Sequence, residues 1–225
     1  MLGMYPGDPG PPGGDCAGVV VATGPPVAGA PVLAVGQPVF GLAAGSLGSH
    51  VVASSKTVVP MPGGLTFEAA ATMPTVFVTV DAALNHAASL HPRDRVLVQA
   101  AAGGVGLAAV QAIQAAGAIP LATAGSPAKR ALLRSLGVQH LGSSRDTTLA
   151  DGFAVEGGAH VVLNTLTSSG MVAASLAAVS SGGRFVEISK RDIWSVARVA
   201  QGELLPAGWG VGCASPLLQH LILQQ

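Results

Sequence analysis

The sequence predicts an α/β protein, a doubly wound parallel sheet preceded by a smaller, mostly β domain. Three observations carry that expectation. Residues 96–106 read Val-Leu-Val-Gln-Ala-Ala-Ala-Gly-Gly-Val-Gly, a short β-branched run closed by a glycine-rich turn, and an alanine-rich helical pattern opens at once after it. From Arg95 onward strand-type and helix-type segments alternate, which calls for right-handed crossovers and parallel strands. The front of the chain is of another kind: eight of the sixteen prolines precede position 39, and no lysine or arginine precedes Lys56.

Within residues 1–64, short β-type runs at 17–23, 38–40, 50–53 and 57–59 are separated by turn residues such as Gly24-Pro25-Pro26. Residues 65–92 read as connecting helices. Thr66 suits a helix N-cap and Glu68 a first turn, where a carboxylate complements the helix dipole. Pro74 interrupts that pattern, and a second one runs over 76–88. From 93 to 200 strands are expected at 95–99, 118–123, 139–141, 161–164 and 184–188, with helices at 104–116, 127–136 and 171–179. Gly117 and Gly137 stand where helix C-caps belong, and Pro127 suits a first helical position. Residues 201–225 form a divergent tail.

The turn at 101–106 supplies the first functional expectation. Ala101, Gly103 and Gly106 occupy the three fingerprint positions of a dinucleotide site of the Rossmann type. The first makes the tight turn, the second admits a pyrophosphate, and the third lets helix and strand approach. The helix start at Gly104, Val105 and Gly106 offers free amides and the positive dipole end to phosphates. An NAD site would carry an acid about 20 residues further on. Here Thr123 is followed by Ala124-Gly125-Ser126-Pro127-Ala128-Lys129-Arg130, with no acid. The hydroxyls of Thr123 and Ser126 and the cations Lys129 and Arg130 suit a 2′-phosphate, so NADPH is the expected cofactor.

Composition excludes other classes. The 225 residues are 49% hydrophobic and only 10% charged, with eleven basic and eleven acidic side chains. That balance makes no electrostatic claim on nucleic acid or an anionic membrane. The charge-free run 96–128 is long enough to span a bilayer, but its glycine turn and three glutamines mark a buried strand and helix instead. Cys16 and Cys213 cannot form a disulfide framework, and the opening Met1-Leu2-Gly3-Met4 is unlike a secretory leader. A reducing, cytoplasmic setting is expected. No metal is expected either, because Cys16 has no nearby histidine and the six histidines lack ligand spacing.

Residues 100–111 (Ala-Ala-Ala-Gly-Gly-Val-Gly-Leu-Ala-Ala-Val-Gln) resemble the cofactor turn of zinc-free medium-chain dehydrogenases/reductases. More narrowly, the chain resembles the enoyl reductase domain of type I polyketide synthases and animal-type fatty acid synthases. Supporting stretches are Leu2-Gly3-Met4-Tyr5-Pro6-Gly7, Cys16-Ala17-Gly18-Val19-Val20, Thr75-Val76-Phe77-Val78-Thr79, Val162-Leu163-Asn164-Thr165-Leu166, and the run from Gly182-Gly183-Arg184 to Lys190-Arg191-Asp192. The resemblance implies a partial GroES-like substrate domain before the Rossmann domain. It implies NADPH-dependent reduction of a trans-2-enoyl thioester carried on an acyl carrier protein, among neighbouring synthase domains.

By the same resemblance Lys190 is the proton donor, Tyr5 a second catalytic candidate, and Asn164 and Thr79 cofactor contacts. Asp81 replaces a tyrosine common in zinc-free relatives, marking either an altered pocket or a solvent-facing helix position. The family's opening and closing strands and its distal aspartate have no counterpart. The chain is therefore expected to bind NADPH yet turn over an enoyl thioester poorly. Two alternatives stay open: a free-standing quinone or enone reductase, and a non-catalytic nucleotide-binding remnant.

Overall fold

The computed structural model describes residues 10–148, 152–153, 157–166, 168 and 170–189. They divide into two compact units between Val78 and Thr79, inside the stretch expected to connect two domains.

The first unit holds a three-stranded antiparallel sheet of β1 (Asp15–Val19), β2 (Pro38–Leu42) and β3 (Val58–Pro60), with β2 central. Cys16 pairs with Gly41, and Gly41 with Val58. A Cβ at Gly41 would lie 2.1 Å from the Thr57 carbonyl oxygen, so only glycine lets β3 close on β2. β1 begins earlier than expected and ends at Val19, opposite Pro38. The strand expected at 50–53 does not form. These residues pair with none of the three strands, and Val52 is 96% exposed.

Helix α1 (Phe67–Ala70) starts as expected: the Thr66 hydroxyl accepts from the Ala69 amide at 3.2 Å. Pro74 opens a new helix, α2 (Pro74–Val80), where its missing N–H costs nothing. The carboxylate of Asp15 caps that helix, accepting from the Thr75 amide at 2.7 Å and from its hydroxyl at 2.8 Å. A π-helical segment, Asp81–Ala87, continues it. The stretch Phe67–Ala87 is long and apolar enough to cross a membrane by length and composition alone. It is, however, broken between α1 and α2, and it carries Glu68, Asp81 and His86.

The second unit is the Rossmann-type sheet. Its strands are β4 (Arg95–Val98), β5 (Ile119–Thr123), β6 (His140–Gly142), β7 (Ala159–Asn164) and β8 (Val179–Glu187), all parallel, in the order β6-β5-β4-β7-β8. Helices α3 (Gly104–Ala115), α4 (Pro127–Ser135) and α5 (Met171–Ala177) make the connections. The charge-free run is explained by burial. Val96, Leu97 and Val98 of β4 are wholly inaccessible, and so are Ala109 and Ile113 of α3 and Leu121 of β5. Leu97, Leu121 and Val162 lie in register across three strands and pack with Met171, Ala178 and Val179 on one face. β8 starts five residues before the expected position. The pair Gly182-Gly183, just ahead of the expected strand, sits inside it, within a register irregularity against β7.

At the amino edge of the sheet, Asp94 ties the connecting helix to the strands. Its carboxylate accepts from Arg184 Nη2 at 2.7 Å and from the His91 amide at 3.0 Å. The same guanidinium donates to the carbonyls of Ala88 and Ser89. Burial alone would raise the pKa of Asp94, but the His91 amide and the Arg184 hydrogen bond and charge outweigh it and hold the group below the ordinary value of 3.8. A depressed folded-state value means that the stabilisation is complete above pH 3.8 and disappears as pH falls through the folded-state titration. Asp94→Asn is expected to cost about 2 kcal/mol near neutrality, between the values of exposed and fully buried pairs. Melting temperature against pH should show a flattened acid limb in the variant.

Candidate nucleotide-binding site

The glycine turn lies at the carboxyl end of β4, where the chain leaves toward β5 on one side and returns by β7 on the other. That is the crevice of a doubly wound sheet. Three hydrogen bonds shape it. The Ala101 amide donates to the Thr123 carbonyl at 2.9 Å, the Ala100 amide to the Thr123 hydroxyl at 3.3 Å, and the Gly103 amide to the Ala100 carbonyl at 2.9 Å. Ala100 takes a left-handed φ of 48° to make the corner. Gly103 is the N-cap of α3 and has no side chain to spend on the first amides. The N–H groups of Gly104, Val105 and Gly106 therefore have no intrahelical acceptor and are available to an anion.

Gly106 is fixed by sterics. A Cβ there would sit 2.5 Å from Ala101 Cα and 2.6 Å from its carbonyl carbon and oxygen. Ala101 itself is fully buried. The expectation that the third small residue sets helix–strand packing thus has a concrete partner.

An open cleft of about 420 Å³ lies over this turn. Its floor is Ala100, Ala102 and Gly103, and its far wall is Ala124, Gly125 and Lys129. Ser144, Arg145 and Ser168 complete it, and none of the lining residues is acidic.

The residues expected to hold a 2′-phosphate separate here. Lys129 lines the cleft and is exposed. Ser126 is the N-cap of α4, its hydroxyl accepting from the Lys129 amide at 3.3 Å. Thr123 is fully buried, its hydroxyl and carbonyl spent on the Ala100 and Ala101 amides, so it acts on the cleft through the turn. The Arg130 guanidinium donates to the Ala124 carbonyl at 2.8 Å, and its charge lies close enough to Asp146 to stabilise that carboxylate. A second cation was not expected from the sequence: Arg145, after β6, reaches over Gly125 and donates Nε to its carbonyl at 2.8 Å. Ser144 accompanies it.

Toward β7 and β8 the crevice wall is polar and buried. Asn164 has no exposed surface, and its Nδ2 donates to Glu187 at 2.6 Å while its Oδ1 is buried without a partner. It is tied to the ends of β7 and β8 and is not among the residues lining the cleft. Burial pushes the Glu187 carboxyl above the ordinary value, partly offset by hydrogen bonds from Ser189 and Asn164. Thr79 is half-buried in α2 and is not among the residues lining the cleft. Asp81 faces solvent, bonded to Asn85 at 2.7 Å and paired with His86 at 3.3 Å, which is the second of its two expected placements. The catalytic candidates Tyr5 and Lys190, and the tail, lie outside the described residues.

A match to the zinc-binding dehydrogenase family covers residues 104–201. The chain is 48% identical over 190 residues to the spectinabilin polyketide synthase system protein NorB of Streptomyces orinoci, covering 84% of this chain and 8% of that protein. It is 46% identical to the pikromycin polyketide synthase component PikAII of Streptomyces venezuelae, over 88% of this chain and 5% of that protein. The chain therefore spans under a tenth of the length of these relatives. The crystal structure of CurK enoyl reductase superposes with a TM-score of 0.81 at 38% identity, over 94% of this chain and 62% of that one. A putative enoyl reductase domain of a polyketide synthase is 35% identical, with a TM-score of 0.53, over 67% of this chain and 82% of that one.

The family's description raises zinc, and the residues present do not fit it. Among the described residues, no three His, Cys, Asp or Glu side chains cluster closely enough to hold a metal. Burial, then the Asp15 charge, push the Cys16 thiol up and away from the thiolate a zinc site needs. Asp15 is itself committed to Thr75. The glycine turn and its cleft sit where a dinucleotide crevice belongs, and the chain belongs to the enoyl reductase domains of polyketide synthases.

Proposed function

We propose that this chain is the NADPH-dependent enoyl reductase domain of a type I synthase in the cytoplasm, acting on a trans-2-enoyl thioester carried by an acyl carrier protein. The observation that carries the reading is the cleft itself: a glycine turn with free helix amides, faced among the described residues by Lys129 and Arg145 and by no carboxylate. Amides at a helix start suit a diphosphate, and two cations, one from α4 and one from the loop after β6, suit a 2′-phosphate.

NADPH, when bound, supplies the hydride that goes to C3 of the alkene. The protein's part is to bind, orient and protonate. Residues 103–106 hold the diphosphate, Lys129 and Arg145 the adenosine phosphate, and the ends of β4 and β7 shape the remaining wall. By resemblance, Lys190 delivers the proton to C2 as enolate charge collapses, with Tyr5 as a second donor.

The test is single-turnover oxidation of NADPH with a crotonyl thioester on an acyl carrier protein, for this chain and for one extended at both ends. Loss of the alkene with one NADPH consumed is the expected result, clearest in the extended chain. Oxidation by a quinone but not by the thioester would move the protein to the free-standing reductases. Bound NADPH that is oxidised by neither would leave only a nucleotide-binding role.

A further inference from the structure

Gln99, the residue directly after β4, is 1% exposed and every polar group it owns is engaged. Its side-chain Oε1 accepts from two successive backbone amides, Thr165 at 2.9 Å and Leu166 at 3.0 Å. Its Nε2 donates to the Ser175 hydroxyl, which in turn donates to the Met171 carbonyl at 2.7 Å. Its backbone carbonyl takes the Thr165 hydroxyl at 3.4 Å, and its amide reaches the Leu163 carbonyl at 3.5 Å. The amide orientation is forced, because reversing it would set the NH2 group against two N–H donors.

These bonds lie just past the last register pair of β4 and β7, Val98 with Leu163. There the parallel ladder ends and the two strands diverge into separate loops. The Gln99 side chain substitutes for the missing ladder. It holds the loop after β7 to the end of β4 and, through Ser175, to α5. The opening between these two strands is the topological switch point. The half of the sheet toward β5 and β6 carries the cations, so it takes the adenosine end of a dinucleotide. The β7 side must then take the other nucleotide.

We infer that Gln99 is a positioning residue for the nicotinamide end of the cofactor, acting by clamping the Thr165 and Leu166 amides and so fixing the β7 wall of the crevice. It touches no cofactor itself. The inference rests on the proposed dinucleotide function, and its test separates the two.

Gln99→Met keeps the side chain's length and removes the acceptor. Gln99→Glu keeps an acceptor for both amides. Amide hydrogen exchange at Thr165 and Leu166 is measured in the ligand-free proteins, and dissociation constants are measured for NADPH and for 2′,5′-ADP, which is its adenosine end alone. The Met variant is expected to exchange both amides at least about tenfold faster and to bind NADPH about tenfold more weakly, with 2′,5′-ADP changed less than about twofold. The Glu variant should stay near wild type in both. Equal weakening of NADPH and 2′,5′-ADP would overturn the inference, since general damage to the fold does that. Unchanged exchange would overturn it as well. If the wild type binds neither nucleotide, the dinucleotide function fails, and the clamp then stands or falls on amide exchange alone.

Discussion

Gly106→Ala is expected to weaken NADPH binding by about a hundredfold or more and to cost about 3 kcal/mol of stability, the upper end for overpacking a core. The added methyl would sit 2.5 Å from Ala101 Cα. The obstacle is backbone, and that backbone is tied to β5 by the Ala101 amide on the Thr123 carbonyl at 2.9 Å. Relief requires the start of α3 to retreat by about 1 Å, and a misplacement of that size is enough to cost a hundredfold at a preorganised site. The amides of residues 104–106 move with the helix, so binding and stability fall together. Gly103→Ala provides the contrast. Its Cβ would meet only the Ala100 carbonyl oxygen, at 3.3 Å, and the residue is exposed. Chemical denaturation of both variants should show a stability loss confined to Gly106→Ala. Equal losses would mean that the turn, not the helix–strand approach, sets the constraint.

The contrast shows where sequence pattern carries structural information and where it stops. Local signals survived well. Thr66 caps α1, Ser126 caps α4 with Pro127 behind it, and Gly117 and Gly137 close their helices at φ values of 70° and 85°. Each of these is decided within four residues by backbone chemistry. The alternation after Arg95 became the parallel sheet for the same reason, since every element announces its own period.

Errors fell where a partner distant in sequence decides. Residues 50–53 have strand composition but pair with none of the three strands of the first sheet. Gly182-Gly183 has turn composition but is carried inside β8 by pairing with β7. The site divides along the same line. The glycine turn and Lys129 were legible because strand, turn and helix follow one another. Arg145 was not, because only the parallel pairing of β5 with β6 brings the loop after Gly142 over Gly125. Gln99 was visible only as a polar residue interrupting an apolar run. Its two amide partners lie 66 and 67 residues away.

A Lys129→Ala/Arg145→Ala double variant is expected to bind NADPH about 30- to 150-fold more weakly, with NADH affinity changed less than about threefold. A hydrogen bond to a charged group contributes about 1.5–3 kcal/mol when sheltered. Both side chains are exposed here, so solvent screening takes each toward or below the lower end, and the two together supply about 2–3 kcal/mol. Arg145 is the better placed of the pair. Its Nε is fixed on the Gly125 carbonyl, which orients the guanidinium over the cleft with its Nη donors in hand. Arg130 serves as the control: its Nη1 is committed to the Ala124 carbonyl and it is not among the residues lining the cleft, so Arg130→Ala should weaken NADPH by no more than about threefold. Because the contacts are at the surface, the wild-type preference for NADPH should shrink as salt rises, and the double variant should show little salt dependence. Titrating NADPH and NADH against all three proteins at two ionic strengths decides the matter. Equal wild-type affinities for the two cofactors would remove the 2′-phosphate assignment, and a double variant that loses both cofactors alike would make the two cations supports of the turn.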